Sequence, residues 1–250
     1  MTVAAEASIE RLDIGQAIQD VLNVLVRNIG PFALLGVLLA GVPAALVAVG
    51  RLLGTVDGGY TILVILGGAV SLVTRPILAG AVIFQAVRTL DGNPASLGEY
   101  LAAGRRRWGT MLGLTIWSGL LIGVGFIFLI VPGIYLALRW AVAGPAVVFG
   151  GRGIQDSMDL SAKVTTGRRW AMLLLYVIVF VALVVFATIL NFAEEGLAAA
   201  SSKVLATALI NPLTNVCFDV IFPVLAAVLY RRLRGDATGV SAAALDEVFA

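Results

Sequence analysis

The sequence predicts an all-α membrane protein, a single bundle of six transmembrane helices. Hydrophobic residues make up 60% of the 250 residues and charged residues only 13%, with a mean hydropathy of +1.02. Soluble domains carry about a quarter charged residues. The apolar residues also cluster into six runs that can cross, or nearly cross, a hydrocarbon core of about 30 Å. Lipid is therefore the expected solvent of most of the chain.

Short polar segments separate the six predicted spans. The third and fourth spans are expected to join at a tight turn made by Pro132 and Gly133, and a polar loop from Asn191 to Lys203 is expected between the fifth and sixth. The fourth run is short for a full crossing, so a partly submerged helix stays an alternative. The spans lie at about residues 32–49, 60–87, 109–131, 134–149, 170–190 and 206–230 of one integral membrane domain covering residues 1–250.

Three amphipathic helices are predicted outside the spans. The first follows Asp13 as its N-cap, and the second opens with the Ser96 and Glu99 pair of a capping box. The third covers about residues 154–166 and stops at Gly167. Because each precedes an outgoing and a returning span, the sequence predicts three pseudo-repeated hairpins, each preceded by an amphipathic interfacial helix.

The basic residues are distributed unevenly among the connecting segments. Only Arg51 and Lys203 fall on one side of the predicted bundle, and Arg75 and Arg139 fall inside spans. The positive-inside rule therefore predicts that both termini are cytoplasmic. The other thirteen of the 17 basic residues share the opposite side: Arg11, Arg27, Arg88, Arg105, Arg106, Arg107, Arg152, Lys163, Arg168, Arg169, Arg231, Arg232 and Arg234.

Two clusters of arginine and tryptophan precede the third and fifth spans. Cations beside an indole ring suit the headgroup region of a bilayer, so these residues are predicted to be interfacial anchors. The clusters are Arg105, Arg106, Arg107 and Trp108, and Arg168, Arg169 and Trp170.

Charged residues also occur inside the returning spans. Each lies twelve or thirteen residues before the first basic residue that follows its span, which we call the basic exit. Arg75 precedes Arg88, Arg139 precedes Arg152, and Asp219 precedes Arg231. Such charges are costly in lipid and normally face a partner inside the bundle, so Asp219 is expected to pair with Arg75, Arg139 or both. Asn211 and Asn215 precede Asp219 at four-residue spacing and extend a polar stripe along one helix face.

This polar stripe has three interpretations. It can be purely structural, with Asp219 neutralising one arginine. It can form a net positive interior site that accepts a phosphate or carboxylate headgroup, because two arginines face one aspartate. It can also serve proton or ion transport, although one carboxylate without histidine or lysine makes a poor proton relay.

Composition excludes several classes of function. The chain has no histidine and one cysteine, Cys217. The usual general base, the nucleophile pairs that depend on histidine and the commonest zinc ligand are therefore missing, and we expect no enzyme activity, no metal and no cofactor. The net charge of +2 gives no support to a nucleic-acid partner.

Several motifs carry a resemblance to a known family. The run PGIYLALRWAVAGPAVVF, the later TTGRRW and the terminal LYRRLRGD resemble the membrane domain that is fused to some bacterial glycerophosphoryl diester phosphodiesterases and that also occurs as stand-alone six-span proteins. The resemblance covers about residues 13–236. It implies a bacterial cytoplasmic membrane and an association with lipid headgroups. The hydrolase activity is not implied, because that separate histidine-containing barrel is absent.

Two classes of function remain open at this point. The first is a non-catalytic module that binds a lipid or amphiphile, or that organises a membrane complex. Its expected partners are membrane lipids and either other membrane proteins or a second copy of the chain. The alternative is a small secondary transporter or exporter component, for which the prolines of the spans supply helix breaks.

Overall fold

The computed structural model describes residues 13–57, 62–151 and 153–249. All regular structure in these residues is helical. Six stretches are long and apolar enough to cross a membrane, which confirms the predicted fold class at this level. The helices are α1 (Ile14–Arg27), α2 (Ile29–Gly36), α3 (Val42–Asp57), α4 (Ile62–Leu90), α5 (Leu97–Arg106), α6 (Trp108–Phe128), α7 (Ile130–Arg139), α8 (Ala143–Gly150), α9 (Ile154–Val164), α10 (Arg169–Ala200) and α11 (Lys203–Phe249).

The first and fourth spans are each built from more than one helical segment. In the first, a π-helical turn at Val37–Gly41 connects α2 to α3. In the fourth, a break at residues 140–142 separates α7 from α8. The fourth stretch, Ile130–Gly150, has 21 residues and is long enough for a full crossing. The fourth span was predicted to be too short because its start was placed at residue 134, four residues too late.

The turn between α6 and α7 is made by Leu129, so the predicted turn at Pro132 and Gly133 is wrong. Leu129 has an extended backbone and donates its N–H to the Gly125 carbonyl at 3.1 Å. Pro132 lies in the first turn of α7, where a helix tolerates a residue without an N–H donor. Gly133 packs against Gly125 across the hairpin, and a Cβ on Gly125 would come within 3.1 Å of the Gly133 Cα. These glycines therefore permit close helix packing.

The polar loop expected from Asn191 to Lys203 is also wrong for most of its length. Helix α10 continues to Ala200, and only Ser201 and Ser202 separate it from α11. The Asn191 side chain donates to the Ala187 carbonyl one turn earlier, at 2.7 Å. Polar residues that bond to their own helix need not end it.

The three amphipathic helices form at the predicted places. Asp13 accepts a hydrogen bond from the Gln16 N–H at 3.0 Å, and the Ser96 N–H donates to Glu99 at 2.7 Å. Helix α9 ends at Val164, and Gly167 adopts a left-handed backbone with φ of 82° that suits glycine. Their interfacial position and the three pseudo-repeats remain predictions.

Helices α4 and α11 form the centre of the bundle. Helix α4 packs against α3, α5, α6, α8 and α11, and α11 also packs against α3 and α10. The fully buried side chains of these two helices include Leu78, Val82, Leu225 and Leu229. Most residues of α6 and α10 are exposed or half-buried along the whole helix, as expected for helices that face lipid.

Glycines allow two close helix contacts around α4. At Gly104 of α5, an added Cβ would clash with the Ile77 carbonyl oxygen and lie 3.0 Å from the Ala81 nitrogen. At Gly67, it would lie 2.9 Å from the Pro43 carbonyl oxygen of α3. Backbone groups cannot move aside as a flexible side chain can, so both positions require glycine. These contacts hold α3 and α5 against α4.

Candidate functional site: a polar cleft between three helices

A cleft of about 550 Å³ lies between α3, α4 and α11. We call it the α3–α4–α11 cleft. It runs from the end of the bundle where α10 turns into α11, which we call the loop end, to the middle of α4. From Val64 to Arg75 the wall of α4 is about 16 Å long. The polar lining residues are Arg51, Ser71, Arg75, Thr207, Asn211 and Asn215.

Arg75 forms the deep end of the cleft. It lies 13 residues after Ile62 in a helix of 29 residues, about 20 Å from either helix end. Its Nε lies 3.2 Å from Asp219 Oδ2, and its Nη2 donates to Asn215 Oδ1 at 3.0 Å. The expected ion pair between Asp219 and Arg75 is therefore confirmed. Even so, 45% of the Arg75 side chain remains accessible, against 25% for Asp219, and Arg75 is one of the residues that line the cleft.

The polar stripe of α11 lines the cleft above Arg75. Asn215 donates its amide N–H to both the carbonyl oxygen and the side-chain oxygen of Asn211, at 3.0 and 3.2 Å. Thr207 donates its hydroxyl to Glu194 of α10 at 2.6 Å. The two carboxylates described beside the cleft are thus engaged, Asp219 by Arg75 and Glu194 by Thr207. Among the described residues, the wall itself carries two guanidinium groups and no carboxylate.

Two helix irregularities face each other behind this wall. The π-helical turn at Val37–Gly41 in the first span meets α11 near Pro212 and Val216, and a Cβ on Gly41 would lie 3.4 Å from Val216. Pro212 has no N–H to offer the carbonyl four residues earlier. Single π turns are frequent at functional sites. Pro212 follows Asn211 directly and lies three residues before Asn215.

Arg139 is not among the residues that line the cleft, so of the two arginines expected as partners of Asp219, only Arg75 is paired with it among the described residues. It is the last residue of α7, where the fourth span breaks. Its carbonyl accepts hydrogen bonds from Ser161 at 2.9 Å and from Thr165 at 3.5 Å, both on α9. Among the described residues Asp219 pairs with Arg75 and has no ion pair with Arg139. Arg139 and Arg75 have equal spacing from their basic exits, but Arg139 does not lie beside Asp219 because the break after α7 turns the chain toward α9.

Some of the predicted interfacial anchors are exposed on the surface, and others contact neighbouring residues. Trp170 is 84% exposed and Trp108 is 42% exposed. Arg169 lies over the Tyr135 ring at 4.5 Å, and the Arg107 guanidinium lies close to Gly151. Residues 105 and 106 have exposed side chains, and residue 168 is half-buried at the N-cap of α10. Their depth relative to lipid headgroups stays a prediction.

Sequence reasoning missed two residues of the cleft and one buried polar cluster. Arg51 and Ser71 were counted only as a loop charge and as part of a span. The cluster joins α1 to α4: Gln85 donates to Asn28 Oδ1 at 2.7 Å, and Asn28 donates to Thr89 at 3.0 Å. An amide such as Gln85 inside an apolar run was the available signal for it.

The basic residues that follow the sixth span have specific acidic partners. Arg231 pairs with Asp91 at 2.7 Å, and Arg232 makes two bonds to Asp20 of α1 at 2.6 and 3.0 Å. They therefore tie α11 to α1 and to the loop after α4. In the part of the chain described, no group of acidic or cysteine side chains could hold a metal ion.

Comparison with family models, curated proteins and solved structures finds no match to this chain. The resemblance to the phosphodiesterase membrane domain stays a prediction. The cleft geometry therefore has to carry any proposal of function.

Proposed function

We propose that this protein is a non-catalytic membrane protein that binds an anionic amphiphile in the α3–α4–α11 cleft. The ligand class is a lipid-like molecule with a phosphate or carboxylate headgroup. The observation that carries the proposal is the half-exposed Arg75 at the middle of a membrane-spanning helix. A charge that faces hydrocarbon at this depth costs at least about 2.5 kcal/mol. Asp219 leaves part of Arg75 uncovered, so we expect water or a ligand anion in the cleft to contact the rest of the guanidinium.

The remaining lining residues suit such a ligand. Arg51 places a second guanidinium nearer the loop end of the same cleft, and arginine binds phosphate and carboxylate through paired N–H donors. Asn211, Asn215 and Ser71 add neutral hydrogen-bonding groups. The α3 wall consists of small apolar residues, Ala44, Val47 and Ala48, against which an acyl chain can lie. A volume of about 550 Å³ is typical of small-molecule sites.

Lipid binding by charge variants at Arg51 tests the proposal. Arg51→Gln removes a cleft charge without breaking the ion pair of Arg75, and Lys203→Gln removes an exposed charge at the same end outside the cleft. We expect Arg51→Gln to weaken binding of phosphatidylglycerol, measured by native mass spectrometry of the detergent-released protein, about tenfold. Lys203→Gln should bind like the wild type. Equal affinity in all three proteins would contradict the proposal.

The orientation we propose places both termini in the cytoplasm of a bacterial cell, in its cytoplasmic membrane. The support is the distribution of the basic residues, since thirteen of the 17 lie on one side of the spans. In this orientation the cleft opens toward the outer leaflet. A ligand from that leaflet could reach Arg51 first and Arg75 second.

A secondary transporter is the competing function. It is favoured by the π-helical turn and Pro212 beside the cleft, because broken helices near the membrane midplane bind substrates in many transporters. Uptake or efflux of a labelled anionic amphiphile by proteoliposomes separates the two functions. Binding without transport in sealed proteoliposomes supports the binding protein, and Arg51-dependent flux supports the transporter.

A further inference from the structure

A second pocket, separate from the cleft, lies between α7 and α10. It has a volume of about 360 Å³, and we call it the α7–α10 pocket. We propose that it is a binding site for a phospholipid whose phosphate contacts Arg169 and whose acyl chain lies along α7. The site is independent of the α3–α4–α11 cleft, with which it shares no lining residue.

Arg169 is the cation of this pocket, and the structure holds its side chain in place. The guanidinium carbon lies 4.5 Å from the centre of the Tyr135 ring, and Nη2 donates to the Ala162 carbonyl at 3.5 Å. Its Nε is buried and has no hydrogen-bond partner among the described residues. Stacking on an aromatic ring leaves the terminal N–H groups at the edge of the guanidinium plane, and these, rather than the buried Nε, are the donors that the pocket offers to an anion. A phosphate oxygen is the acceptor that such a fork accommodates.

The rest of the pocket is mostly apolar, and we call its row of apolar side chains the apolar track. Val131, Ile134 and Leu138 line it from α7 at helical spacing, and Leu173 lines it from α10. Trp170 lies at its opening with 84% of its surface exposed. An exposed indole beside a cation, with an apolar track below, matches a lipid that has a charged headgroup and a hydrocarbon tail.

A phospholipid is the occupant that these surroundings favour. Six stretches of the chain can span a membrane, so bilayer lipids are the molecules that reach the sides of α7 and α10. In the part of the chain that the structure describes, no carboxylate lines the pocket to neutralise Arg169. An anionic phospholipid supplies the missing charge, whereas a zwitterionic lipid brings its own cation close to Arg169. We therefore infer a preference for phosphatidylglycerol over phosphatidylcholine.

Tryptophan quenching tests this site in the folded protein. Phosphatidylglycerol with brominated acyl chains quenches nearby indoles, and the contribution of Trp170 is the difference between the wild type and Trp170→Phe. Because Trp170 is exposed, this substitution leaves the fold intact. We expect half-maximal quenching of Trp170 at an at least tenfold lower fraction of brominated phosphatidylglycerol than of brominated phosphatidylcholine. Equal quenching curves for the two lipids would overturn the proposal.

Native mass spectrometry provides a second test and separates it from the cleft. In an Arg51→Gln background, Arg169→Gln should weaken the remaining phosphatidylglycerol binding about tenfold, and Lys163→Gln, at the exposed end of α9, should not. Ile134→Trp fills the apolar track without removing a charge and should also weaken binding. If phosphatidylglycerol binds equally to the Arg169→Gln and Ile134→Trp proteins and their parent, the pocket holds no specific lipid. If only the Arg51 test fails, the proposal for the α3–α4–α11 cleft is contradicted and the proposal for the α7–α10 pocket is not.

Discussion

The Arg75 Nε lies 3.2 Å from Asp219 Oδ2, joining the middle of α4 to the middle of Lys203–Arg234, the part of α11 that can span a membrane. The geometry is an ion pair without a hydrogen bond between these two atoms, because Arg75 directs Nη2 to Asn215. Arg75 therefore serves two neighbours on α11 and still reaches the cleft. Its positive charge is held in place by the pair and partly open to a ligand.

Removing Asp219 should destabilise the bundle more than removing both charges. Asp219→Ala leaves Arg75 unpaired, and losing one partner of a fully buried pair costs about 3–5 kcal/mol. Because both side chains are partly accessible, we expect a smaller loss, between that range and the at most about 1 kcal/mol of an exposed pair. The double variant Asp219→Ala/Arg75→Leu should lose less than Asp219→Ala alone. Unfolding in one detergent measures all three, and a wild-type midpoint for Asp219→Ala would contradict the pairing role.

Gly104 should not tolerate a side chain, whereas Gly98 on the same helix should. Gly104→Ala places a methyl group against the Ile77 carbonyl and the Ala81 nitrogen, and such overpacking costs about 1–3 kcal/mol. Gly98→Ala is the matched control on α5, since nothing lies within 4 Å of its Cβ. Alanine is the better helix former, so the control should be neutral or slightly stabilising. Equal thermal midpoints for the two variants would show that α5 does not pack closely on α4.

The Ser96–Glu99 capping box should weaken in acid. Hydrogen bonds from Ser96 hold the pKa of Glu99 below its ordinary value, with a smaller contribution from the positive charge of Arg88. A carboxyl whose folded pKa is lowered stabilises the fold above its unfolded pKa, and the effect disappears as pH falls through the folded pKa. The wild type should therefore melt higher than Glu99→Gln at pH 7, and the difference should close below about pH 4. A difference that does not change with pH would assign the effect to something other than the carboxylate charge.

Cysteine labelling should reveal the orientation. In a Cys217→Ala background, Ser202→Cys at the loop end should react with a membrane-impermeant maleimide added to intact cells. Ser96→Cys, at the exposed start of α5, should react only after the membrane is opened. Both positions are exposed in the fold, so a lack of reaction reports the membrane rather than burial. Rapid labelling of Ser96→Cys in intact cells would reverse the proposed topology.

The sequence by itself determined that lipid surrounds most of the chain, that the fold class is all-α and that six stretches can span a membrane. Hydrocarbon offers the backbone no hydrogen-bond partners, so each long apolar run must become a helix. Local signals also located the caps at Asp13 and at Ser96 with Glu99, because capping involves residues only three positions apart. The pairing of Asp219 with Arg75 was predictable for a related reason, since an intramembrane charge needs a partner.

The tertiary structure decided which residues meet and where some helices end. Pro132 and Gly133 signal a turn locally, yet the packing of Gly125 against Gly133 moves the turn to Leu129. Arg139 and Arg75 have the same spacing from the basic residues that follow their spans, but at the break after Arg139 its backbone carbonyl bonds to α9, whereas the Arg75 side chain reaches α11. Arg51 enters the cleft through the packing of α3 on α4 and α11. Depth along a helix follows from counting residues, whereas the direction a side chain faces depends on how each helix rotates and bends against its neighbours.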